Sequence, residues 1–299
     1  MIPIIKWRKV WFIFSGILTS LSIVLFFAWG LKPGPDFTGG SLLEYSYKNS
    51  RPETTQIKQK LDEIGAKDAS VQTTGDQGII IKAPEMNEDQ HQKILSAIKS
   101  TGDGEEKRFD SIGPTIGKEL RRTSFYATMI VLIFIVLYVS WAFRKVTRFG
   151  NVNAWTYGLA TVIALVHDIT LLVGAFVVLG HFFQIEVDTP FVAALLTTLG
   201  YSVNDTIVVF DRIRENLLKG KEGETFEYIA EKSINETLAR SFNTSFTAIL
   251  TLFAILLFGG ETIHYFVLAL IIGITSGTYS SIFIASPLLV WWEKRNNSL

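Results

Sequence analysis

The sequence contains no cysteine, so no disulfide bond can stabilise any part of the chain that faces outward. It also has no cluster of cysteine and histidine residues with the spacing of metal ligands, no glycine loop suited to a phosphate and no G-x-S-x-G segment. Those patterns are typical of metal sites, nucleotide-binding enzymes and serine hydrolases. Their absence predicts a protein that is not an enzyme and that needs no cofactor or metal.

Lysine and arginine are absent from four long parts of the chain, at 10–31, 123–143, 150–210 and 241–292. Apolar stretches of about 20 residues with almost no charge are typical of transmembrane helices. The pattern predicts six such helices, at 11–31, 124–143, 154–179, 189–210, 242–258 and 264–292. The first lacks a small-x-small cleavage site and is too long for the apolar part of a signal peptide, so we expect an uncleaved anchor.

The remaining basic residues indicate the orientation of these helices. With the N-terminus inside, the short inner segments hold Lys6, Arg8, Lys9, Arg144, Lys145, Arg148, Lys294, Arg295 and the basic residues of 211–240. The two short outer loops, at 180–188 and 259–263, hold none. Because cytoplasmic loops are enriched in basic residues, we expect both termini in the cytoplasm and the one large loop outside.

The large loop follows the first helix and divides the chain into 1–31, 32–122 and 123–299. Its pattern predicts the order β-α-β-β-α-β, with elements at 41–47, 53–64, 69–74, 78–82, 87–99 and 107–112. That order is typical of a ferredoxin-like α+β domain. The fold class is therefore a polytopic α-helical membrane protein with a small outer domain. On the inner side, the charged segment at about 211–240 is predicted to be mostly helical and to lie along the membrane surface.

Two segments rich in glycine and proline join the outer domain to the membrane helices. The residues concerned are Asp36, Gly39 and Gly40 before the first strand, and Gly113, Pro114 and Gly117 before the second membrane helix. Glycine allows positive φ and proline fixes a bend. We interpret both segments as hinges, with ordinary turns as the alternative.

The segment GYSVNDTIVVFDRIREN, at 200–216, places a carboxylate inside the fourth predicted helix. Asp205 precedes the charged run that begins at Asp211 by six residues, which is roughly 9 Å along a helix. A carboxylate at that depth is costly unless it is protonated, paired or hydrated. We therefore predict that Asp205 binds and releases a proton, with a packing role as the alternative. Arg240, at the inner start of the fifth helix, is its expected ion-pair partner, or else only anchors that helix end.

His167 and Asp168 lie near the middle of the third predicted helix. Adjacent helical residues point about 100° apart, so we expect them to face different targets. One could join a proton relay while the other packs against a neighbouring helix. In the sixth helix, Gly273, Gly277 and Ser281 have the four-residue spacing that allows helices to approach closely, and a packing role is predicted for them.

Several segments together resemble a known family. They are DFTGGS at 36–41, SIGPTIGKEL at 111–120, LVHD at 165–168, the 200–216 segment, INETLARSFNTSFT at 234–247 and GTYSSIFIASPLLV at 277–290. In these segments and in their order the chain is similar to the SecD/SecF family of protein-export membrane proteins, on its SecF side, within the RND superfamily. The segments extend over nearly the whole sequence.

The resemblance implies a multi-pass protein of the bacterial inner membrane that works with SecD, the SecYEG channel and an unfolded preprotein, and with no nucleic acid. It implies use of the proton-motive force late in export, with H⁺, or in some relatives Na⁺, passing by way of Asp205 and Arg240 and a further acid supplied by SecD. Two alternatives stay open: an RND-type efflux half-transporter for small molecules or lipids, and a structural assembly factor without ion coupling.

Overall fold

The computed structural model describes residues 1–144, 154–219 and 224–297. Lys145 and Arg148, which contributed to the predicted orientation, lie outside this part of the chain. Six of the described helices are long and apolar enough to cross a membrane. They begin and end at Arg8–Trp29, Pro114–Ala142, Trp155–Phe183, Thr189–Lys219, Phe226–Phe258 and Thr262–Arg295. The prediction of six membrane helices is confirmed.

The chain forms two compact units. The first, the bundle unit, comprises Met1–Lys32, Tyr126–Ile185 and Pro190–Leu299. The second, the outer unit, comprises Pro33–Phe125 and also Glu186–Thr189, a short piece of chain that lies between the third and fourth membrane helices. The predicted outer domain at 32–122 corresponds to the first part of the outer unit, and the prediction did not include the second.

A four-stranded antiparallel sheet with the strand order β2-β3-β1-β4 forms the centre of the outer unit. Its elements are α2 (Pro35–Thr38), β1 (Gly40–Tyr47), α3 (Thr54–Glu63), β2 (Ser70–Thr74), β3 (Gly78–Ala83), α4 (Glu88–Lys99) and β4 (Gly104–Ile112). Two helices alternate with the strands in the ferredoxin-like order. The predicted ferredoxin-like domain is therefore confirmed.

Alternating residues of the strands and one face of each helix form the core of this unit. Every second residue of β1, namely Leu43, Tyr45 and Tyr47, is buried, as the two-residue period of a half-buried strand requires. The other core side chains include Ile57, Leu61, Ile79, Ile81, Ile94, Leu95 and Ile98. A capping box between Asn87 and Gln90 begins α4 and satisfies two of its unpaired backbone N–H groups.

The bundle unit contains α1 (Arg8–Trp29), most of α5 (Pro114–Ala142), α6 (Ala154–Phe183), α7 (Thr189–Lys219), α8 (Phe226–Phe258), α9 (Glu261–Ser280) and α10 (Ser286–Asn297). A single π-helical turn, Ser281–Ala285, joins α9 to α10, so that the predicted sixth helix consists of three segments. The predicted inner segment at 211–240 is divided between the end of α7 and the start of α8. Pro114 is the first residue of α5 and Gly117 lies inside that helix, so neither forms a turn. Proline is well suited to that first position because its missing N–H would have no partner there.

Two glycines bring α9 into close contact with α7. A Cβ atom on Gly273 would lie 2.3 Å from a side-chain carbon of Thr198, and one on Gly277 would lie 2.8 Å from Cβ of Ser202. Since no real side chain fits such distances, the two helices are packed backbone against side chain at these positions. The packing role predicted for these two glycines is confirmed. The same contact brings the next turn of α9 close to Asp168 and Asp205.

Candidate functional site: buried carboxylates in the helix bundle

Asp168 is the centre of a dense hydrogen-bond cluster between three helices. It lies on α6 with 6% of its surface exposed. Its Oδ1 accepts a hydrogen bond from Ser276 at 2.8 Å, and its Oδ2 accepts one from Ser202 and one from Ser280, both at 2.7 Å. Ser202 belongs to α7, whereas Ser276 and Ser280 belong to α9. A buried carboxylate that is hydrogen-bonded on both oxygens therefore joins α6, α7 and α9.

His167 contacts the same carboxylate, which corrects the expectation that the two neighbours face different targets. Its Nδ1 lies 3.1 Å from Oδ1 of Asp168, and its Nε2 is buried without a hydrogen-bond partner among the described residues. The ring also lies 6.1 Å from that of Tyr279 on α9. Rotation about the side-chain bonds brings the imidazole to its neighbour even though the two Cα–Cβ bonds diverge.

Asp205 lies on α7 and is almost as buried, with 8% of its surface exposed. Its Oδ2 accepts a hydrogen bond from Ser281, the first residue of the π turn. Ser241, on α8, is buried nearby, and its hydroxyl interacts with the carboxylate of Asp205, although it forms no hydrogen bond of ordinary geometry in the described part of the chain. The carboxylate of Asp205 thus has fewer fixed donors than that of Asp168, although both are shielded from solvent.

Arg240 acts on Asp205 through its charge but forms no ion pair with any residue that the structure describes. Its side chain is exposed on α8. The inner ends of α7 and α8 are instead joined by Arg212, whose Nε lies 2.6 Å from a carboxylate oxygen of Glu236. The predicted pair of Asp205 and Arg240 is therefore not formed in this structure, and Arg240 presents a cation on the surface of the bundle unit.

The predicted junction residues come together in the outer unit. Gly39 has a φ of +77°, and a Cβ atom on it would lie 2.8 Å from the Cα of Pro114. A Cβ on Gly117 would lie 2.9 Å from the backbone nitrogen of Gly39. Gly40 has a φ of +143°. The segment before β1 and the start of α5 are therefore packed backbone to backbone, which requires glycine for both space and conformation. Gly113 lies between them with an ordinary negative φ. Hinge motion at these positions stays a prediction.

Asp36 and Asp188 form a reciprocal contact in the same unit. Oδ2 of Asp36 accepts a hydrogen bond from the backbone N–H of Thr189 at 2.9 Å, and the carboxylate of Asp188 accepts one from the backbone N–H of Asp36. The carboxylate of Asp188 lies against Gly34, where a Cβ atom would be 1.8 Å from Oδ1. Burial, and then the nearby charge of Asp36, raise the pKa of Asp188 to about 6. Thr189 is the first residue of α7, so this contact lies at the N-terminal end of the helix that carries Asp205.

Asp188, Ser202, Ser276 and Ser280 were not predicted as site residues, and Ser281, predicted only to pack, donates to Asp205. Ser276, Ser280 and Ser281 lie in or next to the GTYSS run, and Ser202 lies three residues before Asp205. Polar side chains recurring on one face of a membrane helix were the available signal. In the described part of the chain, no group of three or more His, Cys, Asp or Glu residues is placed to hold a metal ion.

The family model described as protein export membrane protein SecD/SecF, C-terminal, matches residues 91–295. This match covers more than half of the chain. The chain belongs to the SecD/SecF family. Its membrane helices and ferredoxin-like domain are therefore those of a protein-export family, and the sequence resemblance stated above is confirmed.

Several relatives in this family match over nearly the whole chain. The protein translocase subunit SecF of Thermobaculum terrenum is 41% identical over 99% of this chain and 95% of its own length. That of Vibrio alginolyticus is 40% identical over 96% of this chain and 88% of its own. The crystal structure of SecDF from Thermus thermophilus, a translocon-associated membrane protein, superposes with a TM-score of 0.84 at 33% identity over 97% of this chain. The match spans only 38% of that longer chain.

Proposed function

We propose that this chain is the SecF-type subunit of an accessory complex of the Sec translocase in the bacterial inner membrane, in which it uses the proton-motive force to promote the late stage of preprotein export. The family, together with translocase relatives that match almost end to end, supports a transport role rather than an enzymatic one. The same relatives favour the export of protein over the efflux of small molecules. Ion coupling and the individual partners are parts of the proposal.

The observation that carries the coupling is the environment of Asp205. Its carboxylate is buried on α7, in contact with a hydroxyl of the π turn and within the field of Arg240. A charge in that position must be compensated, and a proton can do so reversibly. Asp205 is therefore the group that binds the coupling proton. Na⁺ is the alternative ion, since a carboxylate and hydroxyl groups are also ligands for a hard cation.

The available energy suits a conformational bias. One elementary charge moved across 100 mV gains about 2.3 kcal/mol. This energy changes the equilibrium constant between two conformations by more than tenfold. It is too small to unfold a domain, which takes about 5–15 kcal/mol. Protonation of Asp205 would thus shift the population of two packings of the bundle, and motion of the outer unit would act on the emerging preprotein.

The exposed cation of Arg240 supports a partner in the membrane. No described residue of this chain neutralises it by an ion pair, and an isolated charge facing lipid is costly. In the proposed complex an acidic side chain of SecD approaches Arg240 and completes the relay. The SecYEG channel and the unfolded preprotein are the further partners of the complex.

The test is export of a model preprotein into inverted membrane vesicles, with and without a proton-motive force, for the wild type and for Asp205→Asn. The amide has nearly the shape of the acid but cannot ionise. Asp211→Asn is the matched control, because Asp211 lies on the same helix with an exposed side chain in an ion pair with Arg214. We expect Asp205→Asn to lose the potential-stimulated part of export while ATP-driven export continues, and the control to keep both.

If Asp205→Asn keeps the stimulation at an equal level of protein, Asp205 is a packing residue and the role of a structural assembly factor is favoured instead. Replacing the proton gradient with a sodium gradient in the same vesicles distinguishes the two coupling ions.

A further inference from the structure

The π turn at Ser281–Ala285 has a local cause in the sequence. Pro287 follows it, and in a regular α-helix the ring of Pro287 would clash with the carbonyl of Phe283 and leave that carbonyl without a donor. Widening the preceding turn relieves the clash. The side-chain hydroxyl of Ser286 also donates a hydrogen bond to the carbonyl of Ser281 at 2.9 Å, which links the two ends of the turn. Single π turns in membrane or soluble helices frequently lie at functional sites.

The π turn begins between two serines that contact different carboxylates. Ser280, the last residue of α9, donates to Oδ2 of Asp168 at 2.7 Å. Ser281, the next residue, donates to Oδ2 of Asp205. One peptide unit thus lies between the carboxylate of α6 and that of α7. The same stretch of chain therefore contacts both carboxylates.

The hydroxyl of Ser281 has two acceptors within reach. Besides Asp205, the carbonyl oxygen of Thr278 lies 3.0 Å from its Oγ. A serine hydroxyl donates one hydrogen bond at a time but can also accept. When Asp205 is ionised, the hydroxyl of Ser281 donates to it. When Asp205 is protonated, the acid donates to Oγ of Ser281, and the hydroxyl of Ser281 turns to the carbonyl of Thr278. Ser281 keeps its own proton in both states.

We propose that Ser281 is a positioning residue for ion coupling, which detects the protonation state of Asp205 and converts it into two hydrogen-bond arrangements of the π turn. This inference rests on the proposed role of Asp205. It adds a residue from the sixth membrane helix to the coupling site and makes the π turn the element that responds to the proton.

The experiment measures protonation directly, in the full chain reconstituted in lipid, by the infrared carbonyl band of a protonated carboxyl group across a pH titration. The band that Asp205→Asn removes belongs to Asp205. In Ser281→Ala the ionised carboxylate loses a charge-assisted hydrogen bond, so we expect the midpoint of that band to move upward by about one pH unit, which is tenfold in the protonation equilibrium. Ser281→Thr retains the hydroxyl and is expected to retain the wild-type midpoint.

Ser280→Ala is the matched control, because it removes the adjacent hydroxyl and affects Asp168 instead of Asp205. An unchanged midpoint in Ser281→Ala would overturn the proposal. If Ser281→Ala does not fold, Ser281→Cys is measured instead, because a thiol is a weaker donor than a hydroxyl. An unchanged midpoint in Ser281→Cys would also overturn the proposal. If the wild type shows no titrating band that Asp205→Asn removes, the proposed function itself fails, which is a distinct result.

Discussion

Asp168 and Asp205 lie in neighbouring helices and are buried to nearly the same extent, yet their surroundings differ. Three serine hydroxyls and His167 surround the carboxylate of Asp168, so that both of its oxygens accept hydrogen bonds. Asp205 accepts one from Ser281 and interacts with the hydroxyl of Ser241, so it has fewer fixed donors. Burial alone therefore does not distinguish the two carboxylates, whereas the number of hydroxyl groups fixed on each of them does.

The largest expected effect comes from making the same substitution, to alanine, at each of the two carboxylates and comparing the loss of stability. Asp168→Ala leaves the buried hydroxyls of Ser202 and Ser276 without their acceptor, and at about 1.5 kcal/mol each it should lower the free energy of unfolding by about 3 kcal/mol. The hydroxyl of Ser280 keeps the carbonyl of Gly277 as an acceptor. In Asp205→Ala the hydroxyl of Ser281 keeps the carbonyl of Thr278 as an acceptor, so the free energy of unfolding should fall by less than about 1 kcal/mol through lost hydrogen bonds. The cavity created is similar in both, so the difference reports the hydrogen bonds. Thermal unfolding in the same lipid measures both, and equal losses would contradict the distinction.

The second largest effect on stability is expected where Gly277 of α9 packs against Ser202 of α7, next to both carboxylates. Gly277→Ala forces a methyl group against Ser202, and overpacking of this kind costs about 1–3 kcal/mol. Gly200→Ala is the control: it lies in α7 with no atom within 4 Å of the added Cβ, so we expect no loss of stability. Thermal unfolding measures this too. If Gly277→Ala also weakens potential-driven export while Gly200→Ala does not, the close approach is needed for coupling as well as for stability.

The sequence contained enough to predict the membrane helices, the order of the outer domain and a carboxylate inside the fourth helix at Asp205, because apolar length, strand period and a charge in an apolar stretch are local signals. It could not reveal that Asp168 has three serine partners, since Ser202 and Ser276 are far from it along the chain. The contact of His167 with Asp168 depends on side-chain rotation that helical spacing does not determine. The segment at Gly113, Pro114 and Gly117 was interpreted as a hinge, with an ordinary turn as the alternative, because proline and glycine are typical of turns as well as of helix starts.

A third buried carboxylate, Asp188, lies in the outer unit, and its effect on stability is expected to be the smallest of the three. Its Oδ1 is buried and no described residue donates a hydrogen bond to it, while the carboxylate of Asp36, together with Glu186, opposes its charge and Lys82 favours it. Since its pKa is raised to about 6 in the folded protein, the folded state binds more protons than the unfolded chain between about pH 4 and 6. The contribution of this group to stability is therefore greatest at low pH and decreases as the pH rises through 6.

From pH 5 to pH 7 this change should reduce the stability of the outer unit by about 1 kcal/mol in the wild type, and Asp188→Asn should remove that dependence. Because the chain has no cysteine, a fluorophore attached after Asp76→Cys, in the exposed turn between β2 and β3, reports unfolding of this unit alone. Asp103→Asn is the control, since its carboxylate is exposed in an ion pair with Lys48. An equal pH dependence in the wild type and in Asp188→Asn would mean that Asp188 stays ionised, and that an unpartnered oxygen next to a second carboxylate is not sufficient to hold a proton.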